Sequence, residues 1–200
     1  IMGAVSKHIF LVTDPEKLES TVRAAFELAK TGRPGPVVVD IPKDIQNWEG
    51  EFQGSGSLPL TGYRNRLDAV MTNSLSEESA QNFYNLLNSS EKPLIYVGGG
   101  IINANASESL RQLSTEYGIP IVTTLMALGA SDTTKSLSLH MLGMHGLASA
   151  NYAVEDCDFL IAIGARFDDR VAGDPEGFAP NAKKIAHFDI DISEINKVKN

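Results

Sequence analysis

Apolar residues fall along this chain in two rhythms, short unbroken runs and helical stripes, and the two alternate. His8 to Val12 is a strand candidate. Behind it, Thr13-x-x-Glu16 has the form of a capping box, with Pro15 in the first turn, where its missing N–H costs nothing. Leu18, Val22, Ala25, Phe26 and Ala29 then make one helical face and Gly32 is a stop, so a helix is expected over 14–31. Val37 to Ile41 reads as a β-branched strand halted by Pro42. Residues 43–74 lose both rhythms. Gly50, Gly54, Gly56, Pro59 and Gly62 interrupt a stretch too long to be a structureless connection within one compact domain. It reads as an interdomain linker, with a short helix suggested near Leu67 to Met71.

From Ser74 the alternation resumes. Ser74-x-x-Glu77 caps an expected helix with Ala80, Phe83, Tyr84 and Leu87 on one face. Leu94 to Val97 is a strand, with Gly98, Gly99 and Gly100 directly after it. Asn105-x-x-Glu108 caps a helix faced by Leu110, Leu113 and Tyr117 and stopped by Gly118; Ile119 to Thr123 is the next strand. A polar stretch holding LMALG and LGMHG leads to a helix over 147–156 and a strand at Phe159 to Ile163. A further strand follows at Lys184 to Asp189, and another helix is expected to start after Ile192. Strands alternating with helices over 75–200 define an α/β class, a parallel sheet with helices on both faces.

Composition narrows the function classes. A net charge of −8 over 200 residues argues against nucleic-acid or membrane-surface binding, both of which favour clustered Lys and Arg. No apolar run reaches the roughly 18 residues that a membrane span needs. The single cysteine, Cys157, excludes an internal disulfide and fits a reducing compartment. The chain begins at Ile1 with no visible signal peptide, which suggests a piece of a longer protein.

Candidate chemistry gathers at the ends of the strands, where ligands bind in open α/β sheets. Gly98-Gly99-Gly100 is either a phosphate-cradling turn at a helix start or only a tight turn. It departs from the dinucleotide fingerprint at Asn103; the next strand ends in Thr123-Thr124 without an acid, and no P-loop is present. Thr124-Leu125-Met126 is a floor for a flat ligand or a buried strand end. His145, between Gly143 and Gly146 with Met144, is a pocket lining or a hydrogen-bonded structural histidine. Metal binding is disfavoured, because His140 and His145 have no completing carboxylate or cysteine. Arg166, Asp168, Asp169 and Arg170 close the strand at 159–163 as a phosphate-binding rim or as a turn whose charges pair with one another. Asp189 and Asp191 offer acceptors for ribose or adenine donors. Cys157, between Asp156 and Asp158, is disfavoured as a thiolate. The pattern points to a dinucleotide lying across the tips of a parallel sheet and does not give a reaction.

The set GRPGPVVVDIPKD (32–44), YVGGGI (96–101), TTLMALG (123–129), LGMHG (142–146), GARFDDRVAG (164–173) and HFDIDISEINK (187–197) closely resembles the large catalytic subunits of the acetolactate synthase (acetohydroxyacid synthase) family of thiamine-diphosphate enzymes. The resemblance implies three α/β domains, of which 1–42 would be the end of the first, pyrimidine-binding one. Residues 75–200 would be most of the Rossmann-like central domain that holds FAD, without its final strand. It further implies a transferase that decarboxylates pyruvate on thiamine diphosphate with Mg²⁺ and condenses the product with a second 2-keto acid, in branched-chain amino acid synthesis. FAD there takes no net redox part.

By the same resemblance, the FAD-lining positions are Arg33, Gly98, Gly99, Gly100, Thr124, Leu125, Met126, Leu142, Met144, His145, Gly164, Ala165, Arg166, Asp168, Arg170, Val171, Asp189, Ile190 and Glu194. Lys43, Met144, Asp169 and Arg170 would stand near a substrate channel where sulfonylurea-type herbicides act. The catalytic glutamate and the diphosphate-binding motif have no counterpart here, so no catalytic residue is assigned and the chain alone is expected to be inactive. A homodimer or larger assembly, a small regulatory subunit and, for a bacterial source, a cytoplasmic location are also implied. Glyoxylate carboligase and pyruvate oxidase share the fold but should not carry GARFDDRV and LGMHG together. A non-catalytic FAD module, as in electron-transfer flavoproteins, would not account for residues 1–42.

Overall fold

A computed structural model describes residues 2–51, 54 and 75–199. The chain divides into two units, Ile1–Ser74 and Leu75–Asn200. In the first, strands β1 (His8–Leu11) and β2 (Val37–Asp40) pair in parallel, His8 against Val37, with helix α1 (Leu18–Lys30) between them in sequence. The helix expected over 14–31 is in two parts. Pro15–Lys17 forms one tighter turn, and Asp14 rather than Thr13 caps it, its carboxylate accepting from Glu16 N–H at 3.1 Å. Phe26, expected on the apolar face, is exposed, while Ala25 is buried. Gly32 follows the helix at φ +58°, in the left-handed region expected of a stop. The Lys7 ammonium donates to the carbonyls of Leu28, Thr31 and Arg33 at 2.7, 2.6 and 3.1 Å, beside the negative end of α1. Beyond Pro42 a short helix, α2 (Lys43–Gln46), buries Ile45 and carries ordered structure into the stretch read as linker. The helix suggested near Leu67 to Met71, and Ser74, lie outside the described residues.

The second unit is built on β3 (Pro93–Val97), β4 (Ile121–Thr123), β5 (Ser138–Met141), β6 (Phe159–Ile163) and β7 (Lys184–Phe188). All pair in parallel, in the order β5-β4-β3-β6-β7. Helices α3 (Glu77–Ser89), α4 (Gly100–Asn103), α5 (Ser107–Tyr117) and α6 (Ala148–Asp156) accompany them. Because successive strand residues point to opposite faces, the buried runs of β3 and β6 feed two cores. Ile95, Val97, Phe159 and Ile161 pack with Leu87 of α3, Ile101 of α4 and Leu110 of α5. Leu94, Tyr96, Leu160 and Ala162 pack with Ala150 and Val154 of α6. Each fully buried Leu or Ile is worth about 1.5–3 kcal/mol, so the central strands dominate the stability of this unit.

Several local expectations change. α3 is capped by Ser76, whose hydroxyl accepts from Ser79 N–H at 3.1 Å, not by Ser74. Tyr84 and Tyr117 are exposed, and Leu86 joins the packed face of α3. Asn105 does not start α5: at φ +53° it ends α4, with Ala106 N–H donating to Ile101 O at 3.0 Å as in a left-handed helix stop. β4 is shorter than expected, and β5 was hidden in the polar stretch. This edge strand, SLHM, is bonded on one side only, and its register slips at His140, which sits at φ +65°.

Candidate functional site

The strand order reverses between β3 and β6, the point at which open α/β sheets form a ligand crevice. Here the two strands are joined at their tips, Gly98 N–H donating to Ile163 O and Gly100 N–H to Gly164 O, both at 3.0 Å. A Cβ on Gly98 would stand 2.0 Å from Gly164 O, and one on Gly100 2.6 Å from Gly164 Cα. Gly164 itself has φ +56°. The glycines therefore serve a backbone-to-backbone contact at the mouth of the crevice, more than a simple turn. The helix start read beside the glycines is that of α4, which has only four residues.

The chain leaving β6 crosses toward β5 as a strap. Tyr96, fully buried in β3, donates its hydroxyl to Arg166 O at 2.6 Å, and His187 Nε2 lies 2.9 Å from Ala165 O. Phe167 is buried among Tyr96, Phe178 and His187, with ring centres 5.2–5.8 Å away. At the far end, Met144 N–H donates to Arg170 O at 3.1 Å. The Arg166 and Arg170 guanidiniums stay exposed; their ion pairs to Asp168 and Asp169 are long, at 3.8 and 3.9 Å. The mutual pairing read from the sequence exists, but exposed pairs of this kind contribute about 0–1 kcal/mol and leave both arginines able to meet a ligand.

Beyond β4 the two readings of Thr124-Leu125-Met126 separate. Thr123 is buried, whereas Leu125 and Met126 are 66 % and 73 % exposed, so the segment is an apolar shelf and not a buried strand end. The Thr123 and Thr124 hydroxyl oxygens are covered and have no hydrogen-bond partner among the described residues. Arg111 holds the outer end of this loop, donating to Gly129 O and Ala130 O at 2.9 Å each. Beyond β5, Met144 and His145 are exposed, which excludes a buried structural role for that histidine. Beyond β7, Asp189 accepts from Asp191 N–H at 2.9 Å, Ile190 is exposed, and Glu194, largely covered, accepts from Lys197 at 3.1 Å. Leu142 and Ala165 are buried and Val171 partly so, all three packed into the core beneath the strap.

The fold thus brings the sequence candidates of the second unit to one edge, the carboxyl ends of the strands. Arg33 and Lys43 are exposed residues of the first unit. Sequence reading missed Tyr96, His187, Asn151 and Arg111. A phenol in an otherwise aliphatic buried strand was the one available signal among them. Among the described residues, no group of three or more His, Cys, Asp or Glu is placed to hold a metal ion, and no helix is long and apolar enough to cross a membrane. Cys157 lies at the opposite ends of the strands. Burial first and then the charge of Asp158 push its thiol up to about 12, so it is no nucleophile at neutral pH. An apolar shelf, two exposed guanidiniums and strand-tip acceptors suit a flat, phosphate-bearing molecule, with no nucleophile–base pair beside it among the described residues.

Residues 80–200 match the family model described as thiamine pyrophosphate enzyme, central domain. The chain is 48 % identical over 195 residues to the acetolactate synthase large subunit of Corynebacterium glutamicum, covering 98 % of this chain and 30 % of that protein. It is 47 % identical over 199 residues to acetolactate synthase 2, chloroplastic, of Nicotiana tabacum (100 % and 29 %). It is 46 % identical over 205 residues to the chloroplastic enzyme of Arabidopsis thaliana (100 % and 29 %). The chain spans about three tenths of the length of these relatives.

Proposed function

Because the chain belongs to the thiamine pyrophosphate enzymes through their central domain, we propose that it is the middle portion of an acetolactate synthase and supplies that enzyme's FAD site. The observation that carries this reading is the 48 % identity to an acetolactate synthase over 98 % of the chain. The whole enzyme would decarboxylate pyruvate and condense the product with a second 2-keto acid, serving branched-chain amino acid synthesis. Thiamine diphosphate with Mg²⁺, held by parts of such a protein outside this chain, supplies the electron sink for decarboxylation.

The strand-end residues fit FAD on the chemistry of their donors. Arg166 and Arg170 would meet its diphosphate, Leu125, Met126 and Met144 would offer apolar contact to its rings, and Asp189 would accept from ribose or adenine. The covered Thr124 hydroxyl, without a partner among the described residues, would gain one. Asp169, beside Arg170 and likewise exposed to solvent, would face the substrate side. Among the described residues, those at the strand ends would hold and orient the flavin. The partners that suit the reading are 2-keto acids, a second copy of the enzyme and a small regulatory subunit.

The test is to express the longest gene product containing this chain and measure acetolactate formation from pyruvate with and without thiamine diphosphate. Thiamine-dependent turnover is expected there, and none from residues 1–200 alone. Turnover by residues 1–200 alone would overturn the assignment of catalysis to other parts of the protein. FAD binding is followed separately, by quenching of flavin fluorescence.

A further inference from the structure

Asn151 has no place in the motifs above, yet its side chain does something specific. It stands in the first turns of α6, and its carboxamide faces the loop that leaves β5. The Asn151 Oδ1 accepts from Gly143 N–H at 2.8 Å, and its Nδ2 donates to Gly143 O at 3.1 Å. A carboxamide is a peptide unit on a short stem, so it can satisfy one residue's N–H and C=O together, as a neighbouring strand would. Gly143 needs such support. It holds φ +94°, and a Cβ there would come 2.8 Å from Arg170 O, so the loop is pressed against the strap. The next residue, Met144, makes the 3.1 Å bond to that same carbonyl. Gly143 O also accepts from Gly146 N–H at 2.9 Å, which closes the turn holding Met144 and His145.

We propose that Asn151 is a positioning residue: its carboxamide clamps Gly143, and through Met144 N–H it fixes Arg170 and the strap at the ligand edge. This rests on the FAD reading only for its consequence on flavin affinity; the clamp itself is a statement about two loops. A residue that merely stabilised α6 would lower the melting temperature without loosening the strap selectively.

The test uses the longest gene product containing this chain, with Asn151→Leu removing both bonds while keeping the branching at Cγ and Asn151→Asp keeping the acceptor for Gly143 N–H. Trypsin cleavage at Arg170–Val171 is followed by mass spectrometry, with cleavage after Arg23 in α1 as the internal reference. Asn151→Leu should speed cleavage at Arg170 about tenfold, the scale of two lost hydrogen bonds, with the reference unchanged. It should also weaken FAD binding several-fold, and Asn151→Asp should fall between it and the parent. Unchanged cleavage at Arg170 in Asn151→Leu overturns the proposal. If Asn151→Leu does not fold, Asn151→Asp decides by the same measurement: faster cleavage at Arg170 alone supports the clamp, and the parent rate overturns it. If the parent binds no FAD, the flavin reading fails, and the cleavage rates alone decide the clamp.

Discussion

Gly100 donates its amide hydrogen to the carbonyl of Gly164 at 3.0 Å, and a side chain on Gly98 would run into that same oxygen at 2.0 Å. The crevice between β3 and β6 can close only while both positions lack a Cβ. Gly98→Ala should therefore cost about 3 kcal/mol or more, because the obstacle is backbone and cannot turn away. Gly118→Ala is the control: φ is +65° but the space is open, so the cost should stay near 1–2 kcal/mol. Urea unfolding of both variants checks the difference. Equal losses would show that the contact does not limit packing.

Tyr96→Phe removes one oxygen and leaves Arg166 O without its buried donor. The expected loss is about 1–3 kcal/mol. Flavin affinity should drop with it, since the strap carrying Arg166 loses its support from the sheet. A variant with parent stability would mean that His187 alone suffices to hold Ala165 and Arg166.

Burial and the neighbouring charge of Asp158 keep the Cys157 thiol protonated across the neutral range. Its S–H lies 3.2 Å from Val154 O. Ellman's reagent at pH 8 should react slowly with the native protein and within seconds after denaturation. Rapid native reaction would contradict the buried placement.

Asp158 ties the connection before β3 to the start of β6, accepting from the Ser90 hydroxyl, from Glu91 N–H at 2.9 Å and from Lys92 N–H at 3.0 Å. Desolvation alone would raise its pKa, but these hydrogen bonds together outweigh it and hold the carboxyl below its ordinary value. The folded value being the lower, the stabilisation is present above the ordinary aspartate range near 4 and is lost as pH falls through the lowered value. Asp158→Asn should cost about 1 kcal/mol at pH 7, with the difference from the parent shrinking as pH falls through that lowered value. A difference independent of pH would exclude this origin.

How much was legible in the chain follows from how far each signal reaches. The buried runs at β3 and β6 announced themselves because every residue in them is apolar, and Gly98 to Gly100 marked the mouth of the crevice. β5 was illegible because an edge strand needs apolar cover on fewer sides, and SLHM also carries a register slip. Arg166, Asp168, Asp169 and Arg170 were readable as a cluster, but not the strap that bears them. Its anchors are a phenol 70 positions away, a histidine 22 positions away and an asparagine eight positions from the glycine it holds. Each pair joins different elements of the chain, so no pattern within one helix or strand encodes them. Asp14 and Ser76 each displaced a neighbouring candidate by one or two residues, and the candidate Asn105 stops one helix instead of starting the next, because capping depends on which backbone amide points at which oxygen.

The bond from Tyr96 to Arg166 also sets an order of events during folding. β3 is the first strand of its unit to be synthesised and the central one in space, flanked by β4 and β6, both of which come later in the chain. Its phenol waits for an acceptor 70 positions downstream, across a loop whose closure entropy must be met before any contact is gained. The edge that would receive the ligand is thus absent from every partly folded state that lacks β6. A flavin added during refolding can speed nothing before that closure, and it can only trap what lies beyond it.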